Sequence, residues 1–240
     1  MPSWVIAIDG PAASGKSSTA DAVAAAMGFA HLDSGALYRG VTLVAIRDQQ
    51  ATPGRPLDAA AILRSVEQRG LRLHYDGARF AVYLEGRPAD EAIRTPEVTA
   101  LVSAVSAIPE IREWVNERLR ALARAGLSVV VDGRDIGTVV FPDAPLKVFL
   151  TASPRTRASR RLLQRGQPAP PDLVEQEAAA LAARDEADSR RAVAPLRMAG
   201  DAIPLDGTDL TFDQQVAEIV ALARSRGIQP LTPDPTPRLP

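Results

Sequence analysis

A phosphate-binding loop is predicted at residues 10–17, Gly-Pro-Ala-Ala-Ser-Gly-Lys-Ser, which fit the pattern G-x-x-x-x-G-K-[ST] at every fixed position. The loop follows an apolar run over 4–8, as the strand–loop–helix context of this motif requires. Glycines at both ends let successive backbone N–H groups converge on a polyphosphate, and the following helix adds the positive end of its dipole. Lys16 can reach the β- and γ-phosphates, and the Ser17 hydroxyl can ligate Mg²⁺. The chain is therefore predicted to bind a nucleotide through its phosphates.

Several arginines stand beside carboxylates or hydroxyls, an arrangement that suits phosphoryl transfer. The transition state of that reaction spreads negative charge over the equatorial oxygens, so catalysis depends on fixed cations. A guanidinium holds two phosphate oxygens at once and stays charged. Each arginine taken alone could equally be a surface ion-pair partner, but their association with 33–34, 132–133 and Asp188 favours the functional interpretation. The arginines are Arg39, Arg112, Arg134, Arg184 and Arg191, with Arg157, Arg160 and Arg161 on one predicted helix.

Composition and missing residue types argue against several classes of protein. The only asparagine, Asn116, lies in a helical pattern, so the chain lacks the N-K-x-D motif that reads guanine in standard GTPases. The absence of cysteine excludes disulfides, thiolate metal sites and a cysteine nucleophile. A net charge of −1 points to neither a nucleic acid nor a membrane surface as partner, and no apolar run approaches the roughly 20 residues of a membrane span. We expect a cytoplasmic protein that is monomeric by default.

The order of elements predicts an α/β fold of the phosphate-loop NTPase type, with a parallel sheet flanked by helices. The apolar runs 129–131 and 146–150 are typical of parallel strands covered on both faces. Gly28 is a candidate C-cap, and Thr211 with Gln214 forms a capping-box pattern. Predicted strands cover 4–8, 29–32, 129–131, 146–150 and 202–205. Predicted helices cover 17–27, 36–48, 154–165 and 171–190, with two more meeting at Pro109 and a closing helix after Thr211.

A β-hairpin is predicted to interrupt this alternation. The runs 71–75 and 80–84 are strand-like and are joined through Asp76-Gly77, a strong turn signal. We therefore predict a single domain over 1–228, with a core formed by 1–58 and 96–228 and an inserted lobe over about 59–95. The Pro-rich tail, 229–240, is predicted to be disordered.

Four segments, in order along the chain, closely resemble one known family. They are Ile8-Asp9-Gly10-Pro11, Leu-Asp-Ser-Gly-Ala-Leu-Tyr-Arg over 32–39, Asp-Gly-Arg-Asp-Ile-Gly-Thr-Val-Val-Phe-Pro over 132–142, and Arg-Ala-Val-Ala-Pro-Leu over 191–196. Over about 6–228 the chain resembles the bacterial cytidylate kinases, the (d)CMP kinase branch of the nucleoside monophosphate kinases. Adenylate kinases carry different sequence at the second and third segments. The resemblance implies direct in-line transfer from ATP to CMP and dCMP with Mg²⁺, in pyrimidine nucleotide metabolism. It also implies that the inserted lobe binds the monophosphate and that a short lid covers about 155–191.

The resemblance further implies a role for each candidate site residue. Donor-binding residues are Gly10, Pro11, Ala12, Ala13, Ser14, Gly15, Lys16, Ser17 and Ser18, with Arg160 and Arg161 from the lid. Acceptor-binding residues are Ser34 and Asp135 at the base, Arg39, Arg112 and Arg134 at the phosphate, Ser103, Arg184 and Asp188 at the pentose, and Tyr38 and Arg191. The catalytic set is Lys16, Arg134, Arg191 and Arg157, and the metal set is Ser17 and Asp132. A carboxylate suits cytosine because the base offers an amino donor at N4.

Some alternatives remain open at the level of sequence. Asp132 is either a partner of the Mg²⁺ shell or a turn residue, and Tyr38 either contacts the acceptor or only packs. His31 is expected at the edge of the core rather than in catalysis. A kinase of another acceptor, such as shikimate or uridylate, would leave the Asp-Gly-Arg-Asp run over 132–135 unexplained. An interaction protein that binds ATP without transfer would leave the arginines unexplained.

Overall fold

A parallel five-stranded sheet forms the centre of the molecule in the computed structural model, which describes residues 3–231. Along the chain the strands are β1 (Val5–Asp9), β2 (Ala30–Asp33), β3 (Arg72–Tyr75), β4 (Phe80–Leu84), β5 (Arg87–Pro88), β6 (Val129–Gly133), β7 (Leu146–Thr151) and β8 (Ile203–Asp206). The central sheet has the order β2-β6-β1-β7-β8, with every neighbouring pair parallel. The carboxyl ends of these strands therefore share one edge, where Asp33 of β2 lies in register with Asp132 of β6.

Helices cover both faces of this sheet. They are α1 (Lys16–Met27), α2 (Ser34–Gln49), α3 (Ala59–Gln68), α4 (Pro96–Val105), α5 (Pro109–Arg124), α6 (Pro154–Gln164), α7 (Pro171–Ser189) and α8 (Phe212–Ser225). On one face Ile6 and Ile8 pack with α1 and α8, and on the other Ala7 packs with α2, α4 and α5. Because β1 and β6 are buried on both faces, their runs are apolar without alternation, as predicted. The predicted α/β fold with a parallel sheet is confirmed.

The insert contains the predicted hairpin and one strand more. Strands β3, β4 and β5 form an antiparallel sheet, and Asp76 Oδ1 closes the β3–β4 turn by accepting the N–H groups of Ala78 (3.0 Å) and Arg79 (2.9 Å). Gly77 has φ 102°, a backbone conformation that favours glycine at the turn. The sequence prediction missed β5 because its two residues carry no strand pattern. Ala78 O also accepts the N–H of His31 at 3.1 Å, so the hairpin turn covers the edge of β2.

Capping side chains explain where the helices begin. Helix α2 starts at Ser34, two residues before the prediction, because Asp33 Oδ1 accepts the N–H of Ala36 at 3.1 Å. The capping box of Thr211 and Gln214 is present at the start of α8, and Gly28 ends α1 with φ 67°. Most of the predicted Pro-rich tail lies outside the described residues, from 232 on. Within 3–231, no helix is both long and apolar enough to cross a membrane.

Candidate active site

A cavity of about 480 Å³ opens at the carboxyl edge of the parallel sheet, where the phosphate loop leaves β1. Its walls come from the loop, α2, α4, the end of β6, α6, α7 and α8. Most of the predicted site residues line it: Ala12, Ala13, Gly15, Lys16, Ser17, Ser18, Ser34, Tyr38, Arg39, Ser103, Arg112, Asp132, Arg134, Asp135, Arg160, Arg161, Arg184, Asp188 and Arg191. Gly10, Pro11, Ser14 and Arg157 do not line the cavity. Residues far apart in sequence thus meet at one edge, the usual ligand position in open α/β sheets.

The phosphate loop has the tight backbone that its glycines allow. A Cβ at Gly10 would lie 2.0 Å from the carbonyl oxygen of Leu150, so only glycine fits there. Gly15 has φ 92° at the N-cap of α1, where the first N–H groups of the helix face the cavity. Lys16 donates to Pro11 O at 3.0 Å. Burial, followed by the charge of Arg134, lowers the pKa of Lys16 to about 7 in the free protein.

Asp132, at the end of β6, is held through both carboxylate oxygens. Oδ2 accepts the hydroxyl of Ser17 at 2.5 Å, and Oδ1 lies 2.9 Å from His31 Nε2. Burial alone would raise the pKa of Asp132, but hydrogen bonds from His31 and Ser17 hold it below its ordinary value. Burial likewise opposes a charged His31, whose pKa is nevertheless raised by the hydrogen bond and charge of Asp132. The turn interpretation of Asp132 does not account for these two side-chain contacts.

The wall near α2 and α5 presents a buried ion pair and an aromatic ring. Arg112 pairs with Asp135 and also donates to Ser106 O at 3.0 Å. The guanidinium carbon of Arg112 lies 5.3 Å from the centre of the Tyr38 ring. The Tyr38 hydroxyl has no partner within the described chain, and burial raises its pKa. Asp135, predicted to read a base, is therefore already engaged by the neighbouring arginine.

Asp188 gathers three other predicted residues. Its Oδ2 accepts Arg134 Nε at 3.0 Å, while Oδ1 pairs with Arg191 and lies 3.4 Å from the Ser103 hydroxyl. Asp188 is 1% exposed, so the carboxylate is committed to these contacts. Arg184 lies alongside, with no carboxylate of residues 3–231 within salt-bridge distance, and burial followed by the charge of Arg134 lowers its pKa to about 10. One buried carboxylate thus orients two guanidinium groups at the cavity wall.

Three of the four arginines of helix α6, namely Arg157, Arg160 and Arg161, take different positions around the phosphate loop. Arg157 is buried behind the phosphate loop, where it donates to Ala12 O at 2.9 Å and pairs with Asp185 at 2.5 Å. Asp185 also accepts the N–H of Ala12 at 2.7 Å, so this pair supports the loop from behind. Arg160 donates to Gly207 O at 2.7 Å and lines the cavity, as does Arg161. Only Arg160 and Arg161 therefore face the space that a nucleotide would occupy.

Ten lining residues were given no site role from the sequence: Asp33, Gly35, Arg94, Val102, Ser106, Gly133, Gln164, Leu181, Phe212 and Gln215. Arg94 reaches in from the insert, with its Nη2 3.7 Å from Asp33 Oδ2. Phe212, half exposed, and Gln215 line the end near Gly15. The family motif contains Asp33, yet the sequence prediction gave it no site role. Arg94, Phe212 and Gln215 lie in no motif, so only their positions in the fold reveal them.

The cavity carries more positive charge than its own carboxylates offset. Among the described residues, Lys16, Arg39, Arg160, Arg161 and Arg184 line it without a carboxylate within salt-bridge distance. Arg39 donates instead to Thr99 at 2.9 Å, and burial followed by the charge of Arg184 lowers its pKa to about 10. Unpaired cations around a phosphate loop suit a polyanionic ligand. The fold and the loop at residues 10–17 define a phosphate-loop protein of the α/β class.

Sequence comparison identifies the family. The family profile described as Cytidylate kinase matches residues 6–225. The chain is 44% identical over 226 residues to the cytidylate kinase of Mycobacterium leprae (strain Br4923), covering 94% of this chain and 98% of the relative. It is 44% identical over 224 residues to that of Mycobacterium avium (92% and 96% covered) and 43% identical over 228 residues to that of Streptomyces griseus (94% and 95% covered). The chain belongs to the cytidylate kinase family, as the four motif segments predicted, and is therefore a kinase rather than an interaction protein.

Proposed function

We propose that the protein transfers the γ-phosphoryl group of ATP directly to the phosphate of CMP or dCMP, with Mg²⁺, to give ADP and CDP or dCDP. The observation that carries this proposal is the single cavity that joins the phosphate loop at Lys16 to the arginine-lined wall at Arg112, Arg134 and Arg191. A donor and an acceptor phosphate bound at these two places would face each other, as an in-line transfer requires.

The donor side consists of the phosphate loop and α6. Lys16 and the loop N–H groups bind the ATP phosphates, and Arg160 and Arg161 cover them from α6. The Ser17 hydroxyl and the Asp132 carboxylate are hard oxygen donors, and their 2.5 Å contact brings them to one point, so the pair fits Mg²⁺ directly or through water. When bound, Mg²⁺ neutralises phosphate charge in the transition state.

The acceptor side separates phosphate recognition from base recognition. Arg39, Arg112, Arg134 and Arg191 would bind the acceptor phosphate, while Ser34 and Asp135 read the cytosine edge. Ser103, Arg184 and Asp188 would surround the pentose. The Tyr38 hydroxyl, which has no partner within the described chain, would form a hydrogen bond with the acceptor. No general base is needed, because the attacking oxygen belongs to a phosphate that is already ionised. The protein's task is therefore to position two anions and offset their charge.

Two mobile parts would exclude water around this centre. We assign the lid to about 155–191 and the monophosphate-binding lobe to about 59–95, within one domain over 1–228. Both parts contribute arginines to the cavity mouth, Arg161 from α6 and Arg94 from the insert. Polyphosphate between them would offset their mutual repulsion and favour closure, which limits competing hydrolysis. We propose a monomer as the working unit and a cytoplasmic location, where free nucleotides would be the substrates.

The test is ADP release from ATP and Mg²⁺ with CMP, dCMP, UMP, AMP, GMP and shikimate offered in turn. Turnover mainly with CMP and dCMP is the expected result. Turnover confined to another acceptor would keep the kinase but refute the cytosine site. Binding of ATP without turnover of any acceptor would refute the whole proposal.

A further inference from the structure

His31 is a buried titratable side chain beside the site to which the proposed reaction gives no task. It lies on β2, is 8% exposed, and does not line the cavity. Its Nε2 is 2.9 Å from Asp132 Oδ1, and its Nδ1 is 3.3 Å from Asp21 Oδ1. Its backbone N–H is bound to Ala78 O of the hairpin turn. Both ring nitrogens and the backbone N–H of His31 therefore have neighbours that fix the residue in place.

These contacts connect three elements, α1, β6 and β2, in a closed series. Ser17 and Asp21 both belong to α1 and lie four residues apart, so they face the same side of the helix. Ser17 binds Asp132 Oδ2 of β6, and Asp21 approaches His31 of β2, which in turn binds Asp132 Oδ1. The order of contacts is thus Ser17, Asp132, His31, Asp21 and back to α1. A carboxylate held at one oxygen by an immobile ring can present only its other oxygen to the loop.

We propose that His31 is a positioning residue: its Nε2–H fixes Oδ1 of Asp132, so that Oδ2 is directed at Ser17 and at the divalent cation of the nucleotide. The inference rests on the proposed role of Ser17 and Asp132 with Mg²⁺. The role requires only the Nε2–H donor and holds whether or not the ring carries a charge. Outer partners that orient a metal-binding carboxylate or histidine typically change metal affinity or activity by about 10–100-fold when removed.

Binding of Mn²⁺ to the protein–ADP complex, followed by electron paramagnetic resonance of the free ion, tests this role without turnover. In His31→Leu we expect the Mn²⁺ affinity to fall about tenfold or more. In a separate activity assay, the KM for CMP should be unchanged. His31→Gln keeps an N–H donor and should recover most of the affinity. His74→Gln is the matched control, because this second histidine lies on β3 with its ring 4.6 Å from the Tyr83 ring, and it should leave Mn²⁺ affinity unchanged.

An unchanged Mn²⁺ affinity in a folded His31→Leu protein overturns the proposal. Should that variant fail to fold, His31→Phe decides instead, because it keeps a ring of similar size and removes the Nε2–H donor to Asp132. There too we expect the Mn²⁺ affinity to fall about tenfold or more. An unchanged Mn²⁺ affinity in this variant overturns the proposal. The proposed function is tested separately by ADP release with CMP in the wild type. A protein that binds Mn²⁺·ADP but does not phosphorylate CMP would refute that function and leave the His31 result standing.

Discussion

At the scale of single residues, the site combines cationic side chains that are paired with a carboxylate and cationic side chains that are not, among the described residues. Arg112, Arg134 and Arg191 are held by Asp135 and Asp188, which fixes their guanidinium groups before any ligand arrives. Lys16, in contrast, is buried beside Arg134, and within the described residues its one hydrogen-bond partner is the carbonyl oxygen of Pro11. The paired arginines thus have fixed positions, while the lysine carries a positive charge that a bound phosphate would neutralise.

Replacing Lys16 tests the donor side. In Lys16→Ala we expect kcat to fall by several orders of magnitude, on the order of 10³, because the reaction loses a fixed charge at the β- and γ-phosphates. Stability should change little, since the lysine makes one hydrogen bond and its charge is unfavourable in the free protein. Lys147→Ala is the control: this lysine binds Pro142 O and Asp201, so its loss should lower the melting temperature and spare kcat. Wild-type turnover in Lys16→Ala would refute the donor assignment.

The lowered pKa of Lys16 predicts proton uptake on ATP binding. With a pKa of about 7, Lys16 is mostly neutral at pH 8 in the free protein, and bound phosphates raise that pKa by favouring the charged form. Binding at pH 8 should therefore take up close to one proton, and binding at pH 6 much less. Calorimetric titrations in buffers of different ionisation enthalpy measure this number. Lys16→Met should abolish the uptake, and equal uptake in that variant would assign the proton to another group.

Replacing Asp135 tests the acceptor side. Asp135→Ala should raise the KM for CMP and reduce the preference for CMP over UMP, because the carboxylate is the predicted partner of the cytosine amino group. The structure adds a second effect, since Arg112 loses its ion-pair partner and both are buried. Asp135→Asn keeps the shape of the side chain and separates the two effects. An unchanged ratio of kcat/KM for CMP and UMP in both variants would show that Asp135 does not read the base.

At the scale of elements, Asp9 couples the end of β1 to the segment after β6. Its two carboxylate oxygens accept the N–H groups of Ile136 (2.8 Å) and Gly137 (2.7 Å), directly after Arg134 and Asp135. Burial raises the pKa of Asp9 to about 6 despite these bonds. The strand that leads into the phosphate loop therefore also sets the position of two acceptor-site residues.

Asp9→Asn should disturb that coupling. An amide has one acceptor oxygen, so one of the two buried N–H groups loses its partner, at a cost of about 1–3 kcal/mol. We expect a lower free energy of unfolding in urea and a higher KM for CMP, with the KM for ATP less affected. Asp143→Asn, in an exposed turn, serves as the control. A variant with normal stability and normal KM for CMP would show that Asp9 does not position the segment.

At the scale of the whole molecule, the excess of unpaired cations in the cavity disfavours the free folded protein and favours the liganded one. Bound nucleotides should therefore raise the melting temperature. A ligand at 100 times its Kd raises the free energy of unfolding by about 2.7 kcal/mol. A non-hydrolysable ATP analogue and CMP together should stabilise more than the sum of their separate effects, because each anion favours closure around the other. Differential scanning calorimetry measures this, with Lys16→Ala as the comparison. Strictly additive shifts would contradict coupled closure.

Local sequence accounted for much of the architecture. The phosphate loop, the apolar strands of the parallel sheet, the hairpin turn at Asp76-Gly77 and the capping box at Thr211 all depend on neighbouring residues, and each was predicted. The misses were also local in origin. Strand β5 is too short to carry a pattern, and α2 begins earlier than predicted because the Asp33 side chain caps it.

The sequence by itself determined the family, the order of elements and the residue types available for chemistry, because these follow from motifs and periodicity along the chain. Only the tertiary structure decided which charged groups meet. Arg134 and Asp188 are 54 residues apart, and His31 and Asp132 are 101 apart, so helix and strand propensities contain no information about either contact. The same packing turned Arg157 behind the loop while Arg160 and Arg161 face the cavity, and it brought Arg94 from the insert to Asp33. Long-range contacts depend on how strands order in the sheet and how helices pack on it, which is a property of the whole fold.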